Sequence, residues 1–186
     1  NQSNKLSGPF LIDLKNKFRE IAGEDNKIDR NEFHKGLALN NEAIVNRIFD
    51  IFDKDHNEYI DSDEFITGIE SLINGEEEDK IRFAFDIHDF DASGDIDHEE
   101  LKTLIKNILI ENNLEFDVNQ IDLIVDEFFK TADLDNSGTI DYKEFLKMVH
   151  NYPELISGLA VNPIAWFNPH RNEFSLEEQS VSKAKS

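Results

Sequence analysis

Between Asp89 and Glu100 the chain reads DFDASGDIDHEE, and its oxygen-bearing residues follow a fixed spacing. Asp89, Asp91 and Ser93 place side-chain oxygens first, third and fifth in a stretch of twelve. Gly94 stands sixth, where the backbone must turn sharply, and Asp95 stands seventh, where a main-chain carbonyl is the donor. Asp97, ninth, can act through a water, and Glu100, twelfth, can give two oxygens at once. Oxygen donors in flexible geometry suit a hard cation of the size of calcium, and no nitrogen or sulfur is placed to compete. Ile96, eighth, is apolar, as a short strand pairing two such loops requires.

The pattern recurs. DLDNSGTIDYKE offers Asp133, Asp135, Ser137, the Thr139 carbonyl, Asp141 and Glu144, with Gly138 at the turn. DKDHNEYIDSDE offers Asp53, Asp55, Asn57, the Tyr59 carbonyl, Asp61 and Glu64. Here Glu58 stands in the place of the glycine, and a side chain at positive φ costs about 1 kcal/mol, so weakened binding is expected. An earlier copy, IAGEDNKIDRNE, keeps Asp25, Ile28, Asp29 and Glu32 but has Ile21 and Gly23 where the first two carboxylates belong. The loss of two anionic donors predicts a weak or empty site. Pairing through the eighth positions should join Ile28 to Ile60 and Ile96 to Ile140.

Each loop must be held by helices. Phe10, Leu14 and Phe18 recur at helical spacing before the first loop, and Ile44, Ile48 and Phe52 before the second. Ile81, Phe83, Phe85 and Ile87 are expected to crowd one buried side of a helix over 79–88, and Leu101, Leu104, Ile105, Ile108 and Leu109 give a stripe after the third loop. Ile121, Val125, Phe128 and Phe129 precede the fourth loop, and Phe145, Met148 and Val149 follow it. The expected fold is all-α with short paired loop strands: four helix–loop–helix units in two paired lobes. The lobes span 10–73 and 79–152, with a linker at 74–78 (NGEEE). An apolar segment at 153–168, rich in Leu, Ile, Trp and Phe, is expected to pack on the second lobe, and 169–186 reads as a polar disordered tail.

The charge balance narrows the function. Forty acidic residues against 19 basic ones give a net charge of −21, which argues against nucleic acid and anionic membranes and for cations. Fifteen Phe and a 39% hydrophobic share supply a core, and the absence of Cys excludes thiolate sites and disulfides. No apolar run reaches the length of a membrane span. The six His pair with no nucleophile, so no catalytic residue is assigned, and His98 is expected to face solvent.

The loops place the chain as resembling the EF-hand superfamily. FREIAGEDNKIDRNEF (18–33), INGEEEDKIRFAFDIHDFDASGDIDHEEL (73–101) and YPELISGLAVNPIAWF (152–167) resemble the calcium-activated NADPH oxidases of type five, with the likeness running over 10–167. That resemblance implies a cytosolic regulatory region at the face of a membrane. On binding calcium it would engage the oxidase's dehydrogenase domain, within the same chain or in trans, and so promote superoxide production. It also implies a fragment that ends before the first span of a larger protein. A freestanding sensor subunit of the calcineurin-B kind and a calcium buffer stay open as alternatives.

Overall fold

The loop residues at places nine and twelve also start the helices that leave the loops. In a computed structural model that describes residues 8–151 apart from 38, 40, 112 and 113, Asp61 accepts from the Glu64 amide at 2.9 Å while Glu64 accepts from the Asp61 amide at 3.0 Å. This is a capping box, which satisfies two of the amides that a helix start leaves without partners. It opens α4, Ser62–Asn74. The same reciprocal pair, Asp29 and Glu32, opens α2, Arg30–Gly36. Asp97 and Glu100 make it at the start of α6, His98–Glu111, and Asp141 and Glu144 at the start of α8, Tyr142–Asn151.

The incoming helices are α1, Gly8–Ala22; α3, Glu42–Phe52; α5, Glu77–His88; and α7, Val118–Ala132. Four helix–loop–helix units therefore follow one another in the chain. The loops join in pairs. Ile28 and Ile60 form an antiparallel bridge with N···O distances of 2.9 Å in both directions. In the second pair, β1, Asp95–Ile96, lies antiparallel to β2, Ile140–Asp141, with Ile96 opposite Ile140. All four isoleucines are fully buried. Both pairings are those expected from the eighth loop positions.

Among the described residues two hydrophobic cores form. The first gathers Leu14, Phe18, Phe33, Val45, Phe49 and Phe65 among others, and the second Leu101, Leu104, Val125, Ile140, Phe145 and Met148. Helix α5 serves both, and here the sequence reading is corrected. Ile81 and Phe85 enter the second core, whereas Phe83 and Ile87 enter the first. Residues two apart on a helix lie about 200° apart in rotation, so an alternating apolar run covers opposite faces rather than one. Each of these four side chains is at most 8% exposed. Burial at this level contributes roughly 2 kcal/mol per side chain, which ties the two pairs to one shared element.

The connection before α5 is short. Helix α4 runs to Asn74, Gly75 caps it and α5 begins at Glu77, so part of the expected linker is helical. A Cβ at Gly75 would lie 2.4 Å from the Ser71 carbonyl oxygen, closer than any side chain tolerates. Two polar contacts add to the junction. Arg47 Nε donates to the Asp86 carbonyl at 2.8 Å, and Asn41 Nδ2 lies 3.5 Å from Asn107 Oδ1. Among the described residues no helix is long and apolar enough to cross a membrane. The segments expected at 153–168 and 169–186 lie outside the described residues.

Candidate metal centres

Three loops share one internal architecture. The first-place aspartate accepts two backbone amides. Asp53 takes them from Asn57 and Glu58 at 3.1 and 3.0 Å, Asp89 from Ser93 and Gly94 at 2.9 and 3.0 Å, and Asp133 from Ser137 and Gly138, both at 3.0 Å. The third-place aspartate accepts the fifth-place amide: Asp55 from Asn57 at 3.2 Å, Asp91 from Ser93 at 2.9 Å and Asp135 from Ser137 at 3.0 Å. The twelfth-place glutamate reaches back to the second-place amide. Glu64 takes it from Lys54 at 2.9 Å, Glu100 from Phe90 at 2.7 Å and Glu144 from Leu134 at 2.7 Å. These bonds fold the carboxylates inward, and the backbone dipoles hold the negative charge in place.

The result is three clusters: Asp53–Asp55–Glu64, Asp89–Asp91–Glu100 and Asp133–Asp135–Glu144. In each, one oxygen per residue lies within 4.8 Å of the others. The donor set is all oxygen and multiply anionic, which fits a hard divalent cation and would lower its own repulsion on binding one. Ser93 and Ser137 add hydroxyls, whose partners are the Asp95 and Thr139 carbonyls at 3.0 Å in each case. Fifth and seventh places thus sit together. Asn57 turns its amide toward Asp55 at 2.8 Å and accepts from the Tyr59 amide at 2.9 Å. Asp61, Asp97 and Asp141 stand apart from the three-carboxylate groups as helix caps.

The electrostatics follow from burial and hydrogen bonding. Burial pushes the Glu100 carboxyl above its ordinary range, against backbone amides from Asp97 and Phe90 that pull it down. Ser93, through its side chain and then its amide, holds Asp91 below the usual carboxylate range.

The first loop differs in shape as well as in ligands. Helix α1 continues through Ile21 and Ala22, and the chain turns at Gly23 with φ +64°. The other three loops have their first left-handed residue at place four: His56, Ala92 and Asn136, with φ of 56–58°. Asp29 and Glu32 remain because they cap α2, a helical role that needs no metal. Among the described residues this loop contributes no cluster of metal-holding groups.

At the sixth place Gly94 and Gly138 have φ +96° and +87°, and Glu58 adopts +66° in the same role. Its carboxylate lies 3.2 Å from Arg30 Nη2, which also reaches Asp50 at 2.7 Å, while the guanidinium covers the Phe49 ring at 4.3 Å. Arg30 belongs to the first unit, so one hand supports the strained turn of the next. The sequence carries no periodic signal for this contact. His98 is half-exposed rather than free: its Nε2 meets Asp126 at 2.9 Å and its ring stacks on Phe129 at 5.2 Å.

Comparison with known proteins agrees with this architecture. A family model for an EF-hand domain pair matches residues 78–150, and one for an EF-hand domain matches 45–73. The chain is 26% identical to NADPH oxidase 5 of Homo sapiens over 177 residues, covering 80% of this chain. It spans only 23% of that relative's length. It is also 33% identical to the calcineurin B protein of Schizosaccharomyces pombe, covering 79% of this chain and 84% of that protein. The calcineurin B protein of Candida glabrata is 34% identical, with 71% and 75% covered.

Proposed function

The chain belongs to the EF-hand family, as a calcium-binding regulatory domain, and from that premise we propose that it is the calcium-sensing part of a membrane NADPH oxidase. In this reading the calcium-loaded domain binds the oxidase's dehydrogenase domain at the cytosolic face of the membrane and switches on superoxide production. The observation that carries the reading is the similarity to NADPH oxidase 5 across 80% of this chain.

The second, third and fourth loops are the proposed sites. Asp53, Asp55 and Glu64 form one carboxylate set, Asp89, Asp91 and Glu100 another, and Asp133, Asp135 and Glu144 the last. Asn57, Ser93 and Ser137 supply neutral oxygens, Tyr59, Asp95 and Thr139 carbonyls, and Asp61, Asp97 and Asp141 donors through water. Bound calcium supplies a charge that draws these oxygens together. The chain's own response runs through the twelfth-place glutamates. Each links the start of its loop to the first turn of the helix that leaves it. A glutamate that exchanges its second-place amide for another partner therefore turns α4, α6 or α8, and this changes which apolar side chains face outward.

The test is calorimetric binding of the purified chain to a dehydrogenase domain of such an oxidase, with calcium and with chelator. Binding with calcium only, lost in Glu100→Gln/Glu144→Gln, supports the reading. No binding at saturating calcium sinks it. A second reading is favoured by the 84% coverage of the calcineurin B relative: a freestanding regulatory protein of that kind. Calcium-dependent capture of a phosphatase catalytic chain in place of the dehydrogenase domain would select it.

A further inference from the structure

The three carboxylate clusters are alike in backbone geometry but unlike in their surroundings. Asp53, Asp89 and Asp133 each accept amides from places five and six. Among the described residues, only Asp89 of the three also meets a cation. Arg47 Nη2 lies 3.8 Å from Asp89 Oδ2, and the two side chains are 15% and 4% exposed. Arg47 comes from α3, in the other pair of hands. Its position is not loose. Val45, Ile48 and Phe49 of the same helix are fully buried in the first core, which Phe83 and Ile87 of α5 also join. Its Nε donates to the Asp86 carbonyl at 2.8 Å, in the last turn of α5, where a cation suits the negative end of the helix. The guanidinium is thus fixed against the carboxylate that opens the third loop.

We propose that Arg47 is the affinity-setting residue of the third loop, a cation carried by the first hand pair that competes with calcium for Asp89. The proposal rests on the reading that the third loop holds calcium. A largely covered guanidinium against a buried ligand carboxylate neutralises part of the charge that attracts a dication and repels the dication itself. With little water between them the opposition is poorly screened. Coupling of this kind is reciprocal. If Arg47 lowers calcium affinity at the third loop, calcium there weakens the hold of Arg47 on the end of α5. Filling the third loop then loosens the junction between the hand pairs, so the third site reports on both halves of the molecule.

The experiment uses the whole chain, labelled with nitrogen-15 and titrated with calcium. The Gly94 amide donates to Asp89 Oδ2, so its resonance reads the third loop alone. A Glu144→Gln background silences the fourth loop, so that pair coupling does not move both. Arg47→Gln is expected to lower the Gly94 calcium midpoint by about tenfold. Arg47→Lys, which keeps the charge, should leave the midpoint within about threefold of the parent. An unchanged or raised midpoint in Arg47→Gln overturns the proposal. Should Arg47→Gln fail to fold, the Arg47 Nε–H resonance of the unmutated chain gives the answer. It should shift with the same midpoint as Gly94, and its staying fixed while Gly94 saturates overturns the proposal equally. A Gly94 resonance that never responds in the unmutated chain defeats the calcium reading of this loop, and the proposal with it. A responding Gly94 that ignores Arg47 defeats the proposal alone.

Discussion

Replacing Phe83 by alanine should weaken the first hand pair, although the helix that carries it leads into the third loop. Phe83 is 8% exposed and packs in the core built by α1 to α4, while Phe85, two residues on, is fully buried in the other core. Phe→Ala changes at buried sites cost about 3–5 kcal/mol, with the cavity left behind setting where in that range a site falls. Phe83 keeps slight exposure and borders the space lined by Ile51, Phe52 and Leu72, so partial collapse places it near about 3 kcal/mol and Phe85→Ala near about 4. The assay is native-state hydrogen exchange in the chelated chain. Val45 and Ile48 amides report the first core, and Val125 and Phe145 amides the second. Phe83→Ala should speed exchange at Val45 and Ile48 by roughly a hundredfold or more, the factor that about 3 kcal/mol gives. Because α5 is common to both cores, Val125 and Phe145 should accelerate too, by a smaller factor. Val45 and Ile48 unchanged in Phe83→Ala would refute the two-sided role of α5. A wild-type chain whose two cores unfold at separate denaturant midpoints would refute the coupling.

Three further outcomes follow from the same geometry. Asp29→Ala removes a helix cap only, so it should cost about 1 kcal/mol in denaturant unfolding while leaving the number of calcium ions bound, by calorimetry, unchanged. Gly75→Ala should lower the chelated chain's melting temperature by several degrees, because the new methyl meets the Ser71 carbonyl; an unshifted transition would show that the α4–α5 connection yields freely. His88 is fully buried with its Nδ1 2.7 Å from the Ala84 carbonyl oxygen, and burial lowers its pKa to about 4 from an unfolded value of 6.5. The unfolded chain therefore binds the proton first, so the His88 contribution is fully present above about pH 6.5 and falls as pH drops toward 4. The loss amounts to roughly 3 kcal/mol. Unfolding free energies of the chelated chain between pH 7 and 4 should show this loss relative to His88→Leu, and parallel curves would refute it.

Much of the site was legible because ligand chemistry writes itself at fixed spacing. Asp89, Asp91 and Glu100 are recognisable as a set from residue type and position alone, and the structure brings them within 4.8 Å. The partners Ile28–Ile60 and Ile96–Ile140 followed from one apolar place per loop. What stayed hidden depends on three dimensions. Ile81, Phe83, Phe85 and Ile87 look like one apolar run, and only the packing divides them between two cores. Arg47 is one charged residue of an amphipathic helix, which is ordinary on any surface. Its meeting with Asp89, 42 residues later, has no local signature. Asp29 and Glu32 were legible but ambiguous, since a helix cap and a metal ligand ask for the same residues at the same spacing.

The shared helix also limits how the molecule can be taken apart. A cut at 74–78 looks natural, because the helix–loop–helix units divide there. Expressed alone, the second half would carry Phe83 and Ile87 outward on α5, beside Asp86 and Arg82, with nothing left to cover them. The first half would keep an open slot between α3 and α4 where those two side chains had been. The halves so produced would be adhesive fragments rather than modules, prone to self-association and to each other. Affinities measured on separated halves would describe surfaces that the intact chain never shows, and any shortened chain meant to isolate one calcium site should carry α5 together with both of its cores.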